Sequence, residues 1–271
     1  MSPALAEPED RRFAALVLAA DRGHDDPVSR AAGVEHKCLA TVAGKPMLER
    51  VIDTLAASPW IGPIAVSLRD PALLGRIEGL APLMETGRLT ALQAEASPSL
   101  SVLQATADMG SARPLLITTG DHALLRREIV DHFCAETLSG GAAVTAGLTD
   151  SGTLLARFPS SRRTYLRFRD ERYSGSNLFA LRLPEGLDAV RLWRRVEQHR
   201  KQPWRIAALF GPALLLSYLL RRFSLDEAMA RVSTRLGVSV AAVKIPFAEA
   251  AVDVDKPEDL ELAERVLGGL G

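Results

Sequence analysis

The sequence predicts a three-layer α/β/α fold around a mixed, mostly parallel sheet. Three observations lead there. Strand-like and helix-like patterns alternate along the chain; the strand candidates are short apolar runs bounded by turn residues; and 47% of the 271 residues are hydrophobic, enough to bury a large core. Sheets covered on both faces take their ligands at the carboxyl ends of strands.

The first strand candidate is Ala14–Ala19, inside the apolar run Phe13–Ala20. A polar loop, Asp21-Arg22-Gly23-His24-Asp25-Asp26-Pro27-Val28-Ser29-Arg30, follows it, and then Lys37 and Val42-Ala43-Gly44-Lys45-Pro46-Met47-Leu48. Met47–Ala57, Pro71–Leu80, Ser101–Met109 and Leu124–Leu138 read as helices, alternating with strands at Ile64–Leu68, Leu89–Leu92, Leu115–Thr119 and Ala142–Ala146. In the second half, Thr153–Phe158 and Thr164–Phe168 resemble two strands joined by the basic turn Ser160-Ser161-Arg162-Arg163, and Asn177–Leu183 resembles another. Helical patterns follow at Leu187–Lys201, Trp204–Arg222 and Leu225–Leu236, the last opened by a capping box of Ser224 and Glu227. Val238–Ile245 and Ala250–Val254 read as strands, and Pro257 opens a closing helix to about Leu267. No Pro/Gly/Ser-rich linker divides the chain, so residues 1–271 are expected to form one domain, with 151–236 as an elaboration of it.

Lys+Arg equals Asp+Glu at 33 each, which gives no electrostatic case for nucleic acid as a partner. Cys38 and Cys134 form neither a disulfide framework nor a zinc spacing and read as small buried or half-buried residues; Lys37 beside Cys38 is a cause for a lowered thiol pKa there. The first twelve residues lack the features of a secretory signal, and the longest apolar run, Ile206–Leu220, is short for a bilayer span and broken by Gly211-Pro212. A cytoplasmic protein is expected. That run would be a buried helix or a contact in a homo-oligomer, with peripheral membrane contact as the alternative.

Five segments carry candidate chemistry. A strand running into a glycine-containing basic loop suits polyphosphate, with Gly23 free in conformation and Arg22, Arg30 and Lys37 as donors. Leu115–Thr119 delivers Gly120-Asp121 to a strand's carboxyl end, where a carboxylate can hold Mg²⁺ or cap the next helix. Asp253 and Asp255, if extended, face the same side and repel unless a cation intervenes; capping of the last helix by Asp255 with Glu258 is the structural alternative. Ser174-Gly175-Ser176-Asn177 reads as a small-residue turn that brings Asn177 to the sheet rim. Ser97-Pro98-Ser99-Leu100-Ser101-Val102 opens a helix and would bring hydroxyls and N–H groups to a base or phosphate; capping by Ser99 is the structural alternative.

Taken in order, these segments resemble the MobA-like and sugar-phosphate nucleotidyltransferases, an NTP transferase family. The opening pattern L-A-A-G-x-G-x-R, then K, then G-K-P-L/M is similar to Leu18-Ala19-Ala20-Asp21-Arg22-Gly23 with Arg30, Lys37 and Gly44-Lys45-Pro46-Met47. The middle G-D is similar to Gly120-Asp121, and the closing D/N-x-D/N-T-P-E-D-L to Asp253-Val254-Asp255-Lys256-Pro257-Glu258-Asp259-Leu260. The Ser101-Val102 segment looks like the S-V stretch of the cytidylyltransferase branch. The chain departs from the pattern at Asp21, where the first loop glycine stands, in a longer loop from Gly23 to Arg30, and at Ala123, where proline is common.

The resemblance implies a Rossmann-like, GT-A-type fold and a cytoplasmic Mg²⁺-dependent enzyme that transfers NMP from an NTP, CTP or GTP first, to a phosphorylated sugar, polyol or alcohol with release of pyrophosphate. It implies Lys37 and Asp121 as catalytic residues; Leu18, Ala19, Ala20, Arg22, Gly23, Arg30, Ser101 and Gly120 against the nucleotide; Asn177 and Ser176 against the acceptor; and Asp121, Asp253 and Asp255 on the metal. The region 151–236 would shape the acceptor pocket. A non-catalytic nucleotide-binding or protein-interaction module on the same fold, and a GT-A-type glycosyltransferase using Asp253-Val254-Asp255, are the alternatives.

Overall fold

A computed structural model describes residues 12–21, 25–110, 114–182, 185–198 and 212–269. Its main sheet begins with β1 (Phe13–Leu18), a fully apolar strand that lies in the middle. After α1 (Pro27–Ala32), a short hairpin of β2 (Thr41–Val42) and β3 (Lys45–Pro46) leads into α2 (Met47–Ala57) and β4 (Ile61–Leu68). The short helix α3 (Ala81–Glu85), β5 (Leu89–Gln93), α4 (Pro98–Asp108), β6 (Leu115–Thr119), α5 (Arg127–Gly140), β7 (Val144–Asp150) and α6 (Ser151–Arg157) follow. The chain closes with β8 (Leu166–Arg167), β9 (Arg172–Leu181), α7 (Leu187–Gln198), α8 (Pro212–Leu219), α9 (Leu225–Leu236), β10 (Val240–Lys244) and α10 (Pro257–Leu267).

The sheet order is β10-β7-β9-β6-β1-β4-β5, with β8 added to β9. Pairs β1–β4, β1–β6, β4–β5 and β7–β10 are parallel; β9 runs antiparallel to both β6 and β7. Core forms on both faces. Val17, Leu48, Ile52, Val66, Ile129 and Phe133 pack α2 and α5 on one side, and Leu16, Ala65, Val102, Ala105 and Ile117 pack α4 on the other. Each buried Val, Leu, Ile or Phe among them contributes about 1.5–3 kcal/mol by leaving water. The mixed, mostly parallel α/β sheet with helices on both faces is the architecture the sequence predicts.

Local differences have identifiable causes. Of Thr153–Phe158, all but the C-cap Phe158 is helical, because Asp150 caps α6: its Oδ1 accepts the Thr153 N–H at 2.8 Å and its Oδ2 the Thr153 hydroxyl at 2.6 Å. Of Thr164–Phe168 only the two-residue β8 is strand. Pro71–Leu80 forms two 3₁₀ turns, Pro71–Arg76 and Glu78–Leu80. Ala250–Val254 is not in a strand: a 3₁₀ turn, Ala248–Ala251, runs into an extended stretch without a ladder partner. α4 is capped by Ser97, while the buried Ser99 hydroxyl donates to Glu197 on α7 at 2.5 Å. The capping box of Ser224 and Glu227 forms as predicted. Of Trp204–Arg222, residues 204–211 lie outside the described residues and Pro212–Leu219 is helical; Leu183 and the end of Leu187–Lys201 lie outside them too, and among the described residues no helix is long and apolar enough to cross a membrane.

Candidate active site

Strands β1 and β6 are neighbours and end together. Gly120 donates its N–H to Leu18 O at 2.9 Å, and a Cβ added to Gly120 would lie 3.0 Å from Ala19 Cβ and 3.3 Å from Leu48 Cδ1. Glycine is therefore what lets the two strand exits approach. Beyond them opens a cavity of about 560 Å³ lined by Leu18, Ala19, Ala20, Asp21, Asp26, Pro27, Lys37, Cys38, Arg69, Pro98, Gly120, Asp121 and Asp255. It sits at the carboxyl ends of β1, β4 and β6, where an open α/β sheet binds ligands.

Lys37 opens a 3₁₀ turn, Lys37–Leu39, that faces this cavity. Its Nζ lies 2.5 Å from Asp121 Oδ2 and 2.9 Å from Asp255 Oδ1, so one ammonium bridges the middle and the C-terminal motifs, 134 residues apart. Burial works against that charge, but Asp121 and Asp255 outweigh it and hold the amine above the ordinary lysine range. Asp121 belongs to no helix cap: α5 begins at Arg127, and Arg126, at its N-cap, makes no side-chain cap bond. Asp121 O instead accepts the backbone N–H of Val254 at 3.0 Å, which ties the two acidic segments together. Beside it the buried His122 ring meets the backbone of Glu249 and Ala250 without a hydrogen bond of normal geometry, and burial lowers its pKa to about 4, so the ring is neutral.

In the C-terminal segment the alternation read from the sequence persists without a strand. Val252 and Val254 are fully buried against Val28, Ala40, Met47 and Leu154, and Asp253 and Asp255 point away from that core. The two acids then part. Asp255 goes to Lys37. Asp253 Oδ1 is bound by Arg163 Nη1, and its Oδ2 accepts from Asn177 Nδ2 at 2.8 Å. Arg163 Nη2 also donates to Asp253 O at 2.9 Å and Asp259 Oδ1 at 2.8 Å. Burial and the charge of Asp255 hold the Asp253 carboxyl above the usual carboxylate range, against the pull of Arg163. The cap of α10 comes from Asp259, whose Oδ2 accepts the N–H groups of Asp255 and Lys256 at 3.1 Å each. Asp255 is thereby free of the capping role the sequence allows it.

Other predicted site residues fall in varied places. Leu18, Ala19, Ala20 and Gly120 line the cavity. Arg22 and Gly23 lie outside the described residues. Arg30 is exposed on α1 and is not part of the cavity wall. Ser101 Oγ accepts the Glu95 N–H at 2.9 Å and does not reach the cavity, whereas Pro98 of the same helix does. Asn177 sits in a bulge of β9 at φ +48°, a left-handed conformation that asparagine tolerates, and the bulge turns its amide to Asp253. Ser174-Gly175-Ser176 is thus inside β9 rather than in a turn before it; Ser176 is buried with its hydroxyl 3.0 Å from Thr149 Oγ1. Cys38 lines the cavity but is buried; burial, then the charge of Asp21, pushes its thiol up to about 12, the reverse of the lowering expected from Lys37 alone.

The sequence reading missed Arg69, Asp26, Pro27 and Pro98 in the wall, and Arg163 behind Asp253. Arg69 follows β4 directly, so the carboxyl-end rule pointed to it; nothing in the sequence marks Arg163 as the partner of a residue 90 positions away.

The sheet, with this cavity at its switch point and a lysine held between two carboxylates in the wall, is an α/β fold like that of nucleotidyltransferases. The MobA-like NTP transferase domain matches residues 15–235, and the chain belongs to this family of nucleotidyltransferases. The match ends before Asp253 and Asp255. A hypothetical transferase from Thermus thermophilus is 31% identical, with a TM-score of 0.74 over 92% of this chain and 99% of that one. The 4-diphosphocytidyl-2C-methyl-D-erythritol synthase of Anaerococcus prevotii DSM 20548 shares the fold at 14% identity, with a TM-score of 0.56 over 96% and 97%. A CMP:2-keto-3-deoxy-manno-octonic acid synthetase complexed with CTP does so at 12%, with a TM-score of 0.58 over 96% and 100%. No curated protein matches the chain.

Proposed function

We propose that the protein transfers a nucleoside monophosphate from an NTP to a small phosphorylated acceptor, a sugar, polyol or alcohol phosphate, and releases pyrophosphate. The observation that carries this reading is Lys37 held between Asp121 and Asp255 in the wall of a cavity at the carboxyl ends of β1 and β6. In the reaction an acceptor phosphate oxygen attacks the α-phosphorus, the bond from that phosphorus to the bridging oxygen breaks, and pyrophosphate leaves with the electron pair. No covalent enzyme intermediate is needed, so the protein positions groups and offsets charge.

Lys37 neutralises charge on the phosphates as the bridge breaks. Arg69 forms no ion pair among the described residues and supplies a second cation at the cavity wall. The backbone at Leu18–Ala20 and Gly120 shapes the nucleotide side, and Asn177 keeps its amide oxygen for an acceptor hydroxyl. A divalent cation fits Asp121 and Asp255: Asp121 Oδ1 is buried and has no hydrogen-bond partner, and both carboxylates already share one cationic group. Asp253 fits less well, since Arg163 and Asn177 occupy its oxygens, and among the described residues no three His, Cys, Asp or Glu side chains converge on a metal position. Mg²⁺ bound there would supply Lewis-acid stabilisation of phosphate charge.

CTP is the first nucleotide to try, because one structural neighbour is complexed with CTP and another is named for a diphosphocytidyl product. The test is pyrophosphate release from each of the four NTPs with a panel of sugar, polyol and alcohol phosphates and Mg²⁺. One pair is expected to turn over, and Asp121→Asn to lower its kcat by about 10²–10³-fold. Nucleotide binding without pyrophosphate from any pair would favour a binding module instead.

A further inference from the structure

Asp21 stands where the family pattern has its first loop glycine, and its carboxylate is turned to the protein's own chain. Oδ2 accepts the backbone N–H of Lys37 at 2.5 Å, and Oδ1 lies 3.0 Å from His36 Nδ1. The side chain is only 7% exposed. Lys37 opens the 3₁₀ turn, and His36, at its N-cap, gives that turn no side-chain hydrogen bond. The first N–H groups of a helical turn need an outside acceptor. Asp21 is that acceptor for Lys37, from 16 residues away and from the end of the central strand.

Lys37 is therefore held at both ends. Asp21 fixes its backbone, and Asp121 and Asp255 fix its ammonium. A lysine ammonium on four flexible methylenes is placed only as well as its Cα is placed. A misplacement of about 1 Å in a group that orients a reaction can cost about 10²-fold in rate. A glycine at position 21 has no side chain with which to make either bond.

We propose that Asp21 is a positioning residue: it caps the Lys37 turn and, braced by His36, fixes where the Lys37 ammonium enters the cavity. In this chain the position that is glycine in the family pattern orients the lysine in place of opening the backbone to phosphate. The same carboxylate adjoins Cys38, whose neutral thiol leaves Lys37 as the charge that the turn presents. The inference rests on Lys37 acting on the nucleotide, and the experiment separates the two.

Asp21→Gly and Asp21→Ala remove both bonds. Asp21→Asn keeps an oxygen for the Lys37 N–H and an amide that can face His36 Nδ1. The first readout needs no substrate: the rate at which an amine-acylating reagent modifies Lys37, followed by peptide mass spectrometry against the other lysines. Freed of its anchor, Lys37 is expected to react at least about 3-fold faster in the Gly and Ala variants and near the wild-type rate in the Asn variant. The second readout is pyrophosphate release. Here kcat is expected to fall about 10–100-fold for Gly and Ala with KM for the NTP within about 3-fold, and the Asn variant to recover most of the loss. Should the Gly and Ala variants not fold, His36→Phe removes the brace while keeping a ring, and is expected to speed Lys37 acylation by a smaller factor. Unchanged acylation in the variants that fold, or an Asn variant as impaired as Ala, overturns the proposal. Faster acylation in a protein whose wild type turns over no NTP supports the positioning role and counts against nucleotidyl transfer.

Discussion

Asp253 and Asp255 carry the same group on the same extended segment, two residues apart, and the fold uses them differently. Asp255 is exposed at its side chain and meets Lys37 at the rim of the cavity; Asp253 is enclosed by Arg163 and Asn177, with Asp259 on the same guanidinium. The difference comes from what lies opposite. One neighbour is a lysine with a compact charge facing a cavity, the other a planar guanidinium that fixes side chain and main chain together. The motif's acidic letters thus divide into one that faces the cavity and one that holds the segment in place.

The largest effect that would break this contrast is on stability. Arg163→Met leaves Asp253 and Asp259 without their shared cation, and is expected to destabilise the fold by about 2–4 kcal/mol, lowering the thermal midpoint by about 5–10 °C. Calorimetry checks it; an unchanged midpoint would make Arg163 a surface ornament of the site. Next in size, Asp255→Asn is expected to weaken Mn²⁺ binding, measured by titration calorimetry, by about 10-fold, with the midpoint of unfolding moving less than in Asp253→Asn. A larger loss of Mn²⁺ affinity in Asp253→Asn would reverse the assignment. The smallest effect concerns Cys38, whose thiol carries its proton throughout the range below about 12. Alkylation at pH 7–9 is expected to leave Cys38 unmodified in the folded protein and to modify it on unfolding; rapid native alkylation would show the cavity wall opening at the Lys37 turn.

The strands around the cavity were legible because each is a short apolar run bounded by turn residues, and Leu115–Thr119 and Met47–Ala57 match their elements end to end. Gly120-Asp121 and Lys37 were legible as motif positions. What was hidden is of two kinds. Thr153–Phe158 follows an aspartate that caps a helix, and Leu154, Leu155, Ala156 and Arg157 are good helix formers, so cap and propensity agree against the strand. Arg163 and the partners of Asp21 depend on chain segments meeting across the fold, which no local pattern records. Asp21 itself reads from sequence only as a departure from the family pattern; in the structure its oxygens are engaged by His36 and Lys37.

The backbone bond from Val254 to Asp121 has a temporal consequence. During synthesis the central strands and Asp121 leave the ribosome more than a hundred residues before Asp255 exists. A growing chain holds the lysine and the first of its two acidic neighbours long before the second, which arrives with the segment after β10 and completes both the wall and its charge balance.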